Sequence, residues 1–213
     1  MNVIRLDAER EQLSDATLAL LSVAGSASAE ETARLIREGA DVNAVVREDE
    51  LWRGWTPLML AAKSNKNSGV LQILMAAGAN VNISNESGWT PLMAAALTNA
   101  NPDVLKVLIA AGADVNAVDK YGMTPLMCAA SNNLAVEILR VLVCNGADVN
   151  ASVKSDGLFP GQTPLMLAAE KSSNTEALKF LLDSGADVSV RDANGKSALD
   201  YAEKAGKIEA LKK

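Results

Sequence analysis

A chain of 213 residues with 49% hydrophobic side chains can bury a substantial core, as one elongated domain or two small ones. Only 3% of the residues are aromatic, so Ala, Leu and Val do most of the burying, which suits closely stacked helices better than a sandwich of bulky strands. Twenty basic against 26 acidic residues, a net charge of -6 with no basic block, argue against nucleic acid and anionic membrane as partners, because both need a positive surface to displace counterions.

The N-terminal stretch MNVIRLDAEREQLSD lacks an apolar core and a small-residue cleavage site, and no apolar run reaches membrane-spanning length. A cytoplasmic location is expected; a leader removed beforehand would place the same chain in the periplasm or outside the cell. Cys128 and Cys144 form no CxxC pair and no disulfide framework, which fits a reducing compartment.

Along the chain two phrases alternate. GADVNA at Gly39 precedes TPLMLAA at Thr56; then come GANVNI at Gly78, TPLMAAA at Thr90, GADVNA at Gly112, TPLMCAA at Thr124, GADVNA at Gly146, TPLMLAA at Thr163, GADVSV at Gly185 and a degenerate SALDYAE at Ser197. The Thr/Ser positions are spaced by 34, 34, 39 and 34 residues, which is internal repetition. Thr–Pro predicts a helix start, since Pro at the first helical position has its φ preset and loses no needed donor; a short helix such as 91–97 follows. The Ala pairs Ala61-Ala62, Ala95-Ala96, Ala129-Ala130 and Ala168-Ala169 remove bulk so that the next unit's helix can approach.

A second helix then starts at Asn101-Pro102-Asp103, which supplies an N-cap oxygen, a Pro at N1 and an acid in the positive first turn. Asn67 and Asn174 hold the equivalent place and Ala135 does not. Leu105, Val107, Leu108 and Ile109 form the apolar face, and Gly112 ends the helix in the left-handed conformation. The remainder, 116–123 with Gly122, reads as a β-hairpin-like finger.

A turn, TPLxxAA, a second helix and GADVNA together resemble the ankyrin repeat, whose usual period is 33 residues. The resemblance covers about residues 16–213. It implies an all-α repeat solenoid of helix-turn-helix units with β-hairpin-like fingers, a single domain of about six units. These are an N-terminal cap near 13–43, full repeats near 44–82, 83–116, 117–150 and 151–189, and a C-terminal cap near 190–213. The wording NPDVLKVLIAAGADVNA is similar to bacterial members of the family. One departure is that the family's TPLH histidine is Met59, Met93, Met127 and Met166 here, which replaces a buried polar link by flexible apolar filling.

Catalytic chemistry finds little footing. The chain has no histidine, which removes the commonest general base, every Ser-His-Asp or Cys-His arrangement and the usual zinc ligand sets. Cys128 and Cys144 fall at helix positions that read as small packed hydrophobes. Asp41, Asp114, Asp148 and Asp187 recur in one slot per repeat and read as scaffold, because paired carboxylate chemistry needs two acids at one site about 5–10 Å apart. Gly195-Lys196-Ser197 ends like a phosphate loop, yet the glycine required five positions earlier is Val190, so a turn leading into a helix start is expected. No catalytic, cofactor-binding or metal-binding residue is assigned, no cofactor is expected, and the chain is read as not an enzyme. The remote alternative is a hydrolytic enzyme using Glu or Lys between fingers.

Recurring positions hold a stack together and differing positions are free to specify a ligand. The differing ones are the fingers and the residues after each Ala pair. Both 39-residue units lengthen the finger, to VVREDELWRGW before Thr56 and SVKSDGLFPGQ before Thr163, and the two inserts match in register at Val46/Val153, Trp52/Phe159 and Gly54/Gly161. Five of seven aromatics lie in fingers. By the resemblance, fingers and first helices line the concave face that binds proteins. The candidate protein-binding residues are Arg47, Glu50, Trp52, Arg53, Trp55, Lys63, Glu86 and Trp89, followed by Leu97, Lys120, Tyr121, Met123, Ser131, Lys154, Phe159 and Lys171. The expected function is a protein-protein interaction scaffold or adaptor, a monomer binding another protein and neither nucleic acid nor membrane. The alternative is an antitoxin or immunity-type inhibitor that neutralises a partner enzyme.

Overall fold

Each Thr–Pro pair starts a helix as its chemistry dictates. Thr56 Oγ1 accepts the Met59 N–H at 3.3 Å, and Thr90, Thr124 and Thr163 do the same for Met93, Met127 and Met166. In the computed structural model, which describes residues 13–47, 49–132, 136–153, 160–171 and 175–206, these caps begin α3 (Pro57–Ser64), α5 (Pro91–Thr98), α7 (Pro125–Ser131) and α9 (Pro164–Lys171). Between and around them lie α1 (Asp15–Val23), α2 (Ala29–Arg37), α4 (Ser68–Ala76), α6 (Pro102–Ala110), α8 (Val136–Cys144), α10 (Thr175–Asp183) and α11 (Ala198–Lys204). No strand occurs among the described residues. Asn67 caps α4 through the Gly69 N–H at 3.0 Å, whereas Ala135 and Asn174 lie outside the described residues.

The helices belong to two compact units, Met1–Ala95 with Asp103–Asp114, and Ala96–Pro102 with Val115–Lys213. In the first, α1 pairs with α2 and α3 with α4, while α1 lies against α3 and α2 against α4. In the second, α7 pairs with α8 and α9 with α10; α7 lies against α9, α9 against α11, and α8 against α10. First helices thus stack on first helices and second on second within each unit.

Small side chains make that stacking possible. Ala61, Ala62, Ala95, Ala96, Ala168 and Ala169 are wholly buried, and Met59, Met93, Met127 and Met166 fill the interior where the family carries histidine. Because α7 is pressed onto α9, a larger residue at Ala129 has nowhere to go without moving a helix. Ala129→Leu and Ala95→Leu are therefore expected to destabilise by about 1–3 kcal/mol. Thermal melts show the effect; unchanged melting temperatures in both variants would place these alanines outside the stacking contact.

The second helices end at glycines such as Gly112, whose φ of 91° is the left-handed value a side chain resists. The Asn that closes each GADVN phrase then ties one repeat to the next. Asn43 Nδ2 donates to Gly78 O at 3.0 Å while its Oδ1 accepts the Asn80 N–H at 3.1 Å. Asn82 makes the same pair with Gly112 and Asp114, Asn116 with Gly146 and Asp148, and Asn150 with Gly185 and Asp187. Asp41, Asp148 and Asp187 each accept a backbone N–H two residues on, at 2.8–2.9 Å, so the recurring acids are used within the turn. Ser189 Oγ and then its N–H hold Asp187 below the usual carboxylate range.

Candidate protein-binding face

The fingers are built from the main chain outward. In the three short ones a single Asx residue, five positions before the helix cap, organises the loop. Asn85 Oδ1 accepts from Ser87 and Trp89, Asp119 Oδ1 from Tyr121 and Met123, and Asp192 Oδ1 from Asn194 and Lys196, all at 2.8–3.0 Å. The same residues close the loop by donating their backbone N–H to Trp89 O, Met123 O and Lys196 O. Because the side chain turns the backbone within four residues, no room remains for a strand ladder. The short fingers are thus tight loops, hairpin-like in their closing hydrogen bond and without a strand ladder among the described residues.

The long fingers use another device. Val46 N–H donates to Trp55 O at 3.0 Å and Gly54 N–H to Val46 O at 2.7 Å; at the second insert Val153 pairs with Gln162 O and Gly161 with Val153 O, both at 3.0 Å. Val46 and Val153 are buried, so the bases of the two inserts are alike. Each long finger also presses on the short finger that follows it. A Cβ on Gly54 would sit 2.9 Å from Asn85 Cβ, and one on Gly161 would sit 3.0 Å from Ala193 N, with φ at 77° and 78°. Glycine is required there for close approach as well as for backbone conformation.

In the first unit, Trp52 and Trp55 meet edge to face at 5.0 Å, and the Lys63 ammonium lies over the Trp52 ring at 5.6 Å. Three of the predicted residues, one from the end of α3, are therefore brought together. The Trp52 indole N–H is buried and meets no acceptor among the described residues. Beside it Leu51 is 71% exposed at the fingertip. Arg47, Glu50, Arg53 and Glu86 are exposed, and Trp89 is half-buried, held by its backbone to Asn85.

In the second unit, Lys120 is exposed and lies over the Tyr121 ring at 4.9 Å, with Tyr121 and Met123 half-buried. Leu97 and Ser131 are half-buried, and Ser131 Oγ donates to Cys128 O at 2.9 Å, so that hydroxyl is turned onto its own helix. Lys171 is exposed and 3.5 Å from Glu170. Lys154 and Phe159 lie outside the described residues.

Chemistry elsewhere is spent on structure. Burial, reinforced by the Asp119 charge, pushes the Cys128 thiol up to about 12, as for a packed hydrophobe. Cys144 is a correction: it ends α8 and is exposed rather than packed. Asp192, Asn194 and Gly195 form a turn, and Ser197 caps α11 in a capping box with Asp200, so Gly195-Lys196-Ser197 leads into a helix start as expected. Among the described residues no group of three or more His, Cys, Asp or Glu could hold a metal ion, and no helix is long and apolar enough to cross a membrane.

Residues missed by the sequence reading are Asn85 and Asp119, whose common register with Asp192, five before each cap, was the available signal; the change between Asn and Asp concealed it.

Residues 58–153 and 151–213 match the family model described as ankyrin repeats (3 copies). Over 68 residues, 32% of this chain, the sequence is 47% identical to the human mitochondrial disaggregase and 46% identical to the bovine one. The match spans 9% of the length of each of those mammalian proteins. With the helix pairs stacked as described and most of its length matched, the chain belongs to the ankyrin-repeat family.

Proposed function

We propose that this chain is a non-enzymatic scaffold or adaptor that binds a partner protein through its fingers and the ends of its first helices. The observation that carries the reading is the division of labour among positions. Recurring Thr, Met, Ala, Gly and Asn are buried or hydrogen-bonded into the stack, while Leu51, Trp52, Trp89, Tyr121 and Met123 retain exposed apolar surface on loops that differ between copies. Aromatic side chains of this kind are the most enriched at binding hot spots. The ankyrin-repeat fold supports an interaction role. We further propose that the repeats act as one domain, in a cytoplasmic monomer; the acidic charge balance supports a protein partner over nucleic acid.

Affinity capture from the source cells, followed by mass spectrometry and an activity assay of what is captured, tests the role. Recurrent recovery of subunits of an assembly supports the adaptor. Recovery of a single enzyme whose activity this chain abolishes would replace that role with the neutraliser. Turnover by the chain itself, lost on changing one finger carboxylate with folding intact, would overturn the reading altogether.

A further inference from the structure

The net charge of -6 is not spread evenly. Among the described finger residues of the second unit every exposed charge is basic: Lys120, Arg191 and Lys196. The acids among those described finger residues, Asp119 and Asp192, are 3% and 6% exposed and turned into their own loops. The second helices and the turns after them carry the opposite sign. There Glu137, Asp148, Glu176, Asp183 and Asp187 are all exposed, against only Arg140 and Lys179. The stacking of α7 on α9 and of α9 on α11 places the two fingers that carry these cations along one edge of the unit, with the finger that precedes α9 between them.

Apolar surface accompanies the cations. Val118 is 51% exposed, Tyr121 and Met123 are half-buried beside it in sequence, and Lys120 and Lys196 lie over the rings of Tyr121 and Tyr201 at 4.9 and 5.6 Å. A carboxylate approaching Lys120 therefore meets an aromatic face and a valine at the same place. A phosphate backbone would use the charge and leave the apolar surface uncovered, whereas a peptide can satisfy both.

We infer that the finger edge of the second unit binds an acidic segment of the partner protein, one in which Glu or Asp alternates with apolar side chains. This rests on the finger-face reading and specifies its ligand. Arg191 already lies 3.8 Å from the exposed Asp200 carboxylate and donates to Gly195 O, so the segment's carboxylates pair with Lys120 and Lys196, and the interspersed apolar groups cover Val118, Tyr121 and Met123. The acidic second-helix layer repels the same segment, so electrostatics orient it onto the fingers.

The test uses the full chain and three probes: a short fluorescein-labelled peptide of Glu, Ser and Phe, its counterpart with Lys in place of every Glu, and duplex DNA. Anisotropy titrations are expected to show saturable binding of the Glu peptide that weakens with salt. The Lys peptide and the DNA should bind at least about tenfold more weakly. Lys120→Glu combined with Lys196→Glu should weaken Glu-peptide binding by about tenfold or more, Lys120→Ala should weaken it less, and Lys179→Glu on α10 should leave it unchanged, with melting curves confirming that each variant is folded. Equal or tighter binding of the Lys peptide, equal binding of DNA, or no binding of the Glu peptide would overturn the inference and leave the finger-face reading standing. Loss of binding in Lys179→Glu but not in the finger variants would overturn both.

Discussion

Trp89→Ala is expected to weaken binding of the captured partner by about 2–4 kcal/mol, the usual cost of truncating an aromatic hot spot. Trp89 is suited to this test because its hydrogen bonds run through the backbone. Its N–H donates to Asn85 Oδ1 at 3.0 Å and its carbonyl accepts the Asn85 N–H at 3.1 Å, and alanine keeps both. The melting temperature should change little. Trp52 differs, since its ring packs on Trp55 beneath Lys63, so Trp52→Ala should lower partner affinity and melting temperature together. Calorimetric titration of each variant checks the pair. Normal affinity in both would remove the aromatic fingers from the interface.

Asp192→Ala is expected to destabilise the second unit by about 2–3 kcal/mol, the loss of charge-assisted hydrogen bonds together with a stranded phenol. Asp192 is buried at the base of the last finger, where Oδ1 accepts the Asn194 and Lys196 N–H groups and Oδ2 accepts the Tyr201 hydroxyl at 2.5 Å. Tyr201 belongs to α11, so this bond ties the finger to the helix that follows it. Burial alone would push the Asp192 carboxyl up, but the hydrogen bonds from Tyr201, Lys196 and Asn194 outweigh it and hold the group below its ordinary value. Burial and then the Asp192 bond push Tyr201 up.

The pH dependence follows from those directions. A depressed acid contributes stability that is fully present above its unfolded value of about 3.9 and is lost as pH falls through the lower folded value. A raised phenol contributes stability present below about 10 and lost as pH rises through its higher folded value. The bond is therefore at full strength from about pH 5 to 9. The gap in stability between the parent chain and Asp192→Asn should narrow as pH falls from about 7 to about 2. Denaturant melts at several pH values measure it, and a gap of constant size would show that the carboxylate charge contributes nothing.

The helices, the buried methionines and the inter-repeat packing were legible because each is a repeated choice, and repetition exposes what the backbone needs. Thr before Pro caps the first helix in all four full copies, and an Ala pair recurs in each of those helices. The bases of the two long fingers were legible for the same reason, since Val46 and Val153 match in register and make the same hydrogen bonds. Other features were hidden because they depend on how a loop turns. That Trp52 lies on Trp55 follows from the path of 46–55, which has no periodicity to read. That Asp119 and Asp192 are buried while Lys120 and Lys196 are exposed cannot be seen in a charge count, yet it decides the sign of the finger edge. Cys144 was misplaced because the last residue of a helix can face either way.

Hydrogen–deuterium exchange of the full chain with and without its captured partner locates the bound face without altering a residue. Slowed exchange is expected at amides near 50–53, 86–88 and 120–122 in the fingers, with little change in α6, α8 and α10. Protection confined to those second helices, with the fingers exchanging as in the unbound chain, would place the partner on the opposite face and remove the fingers from binding.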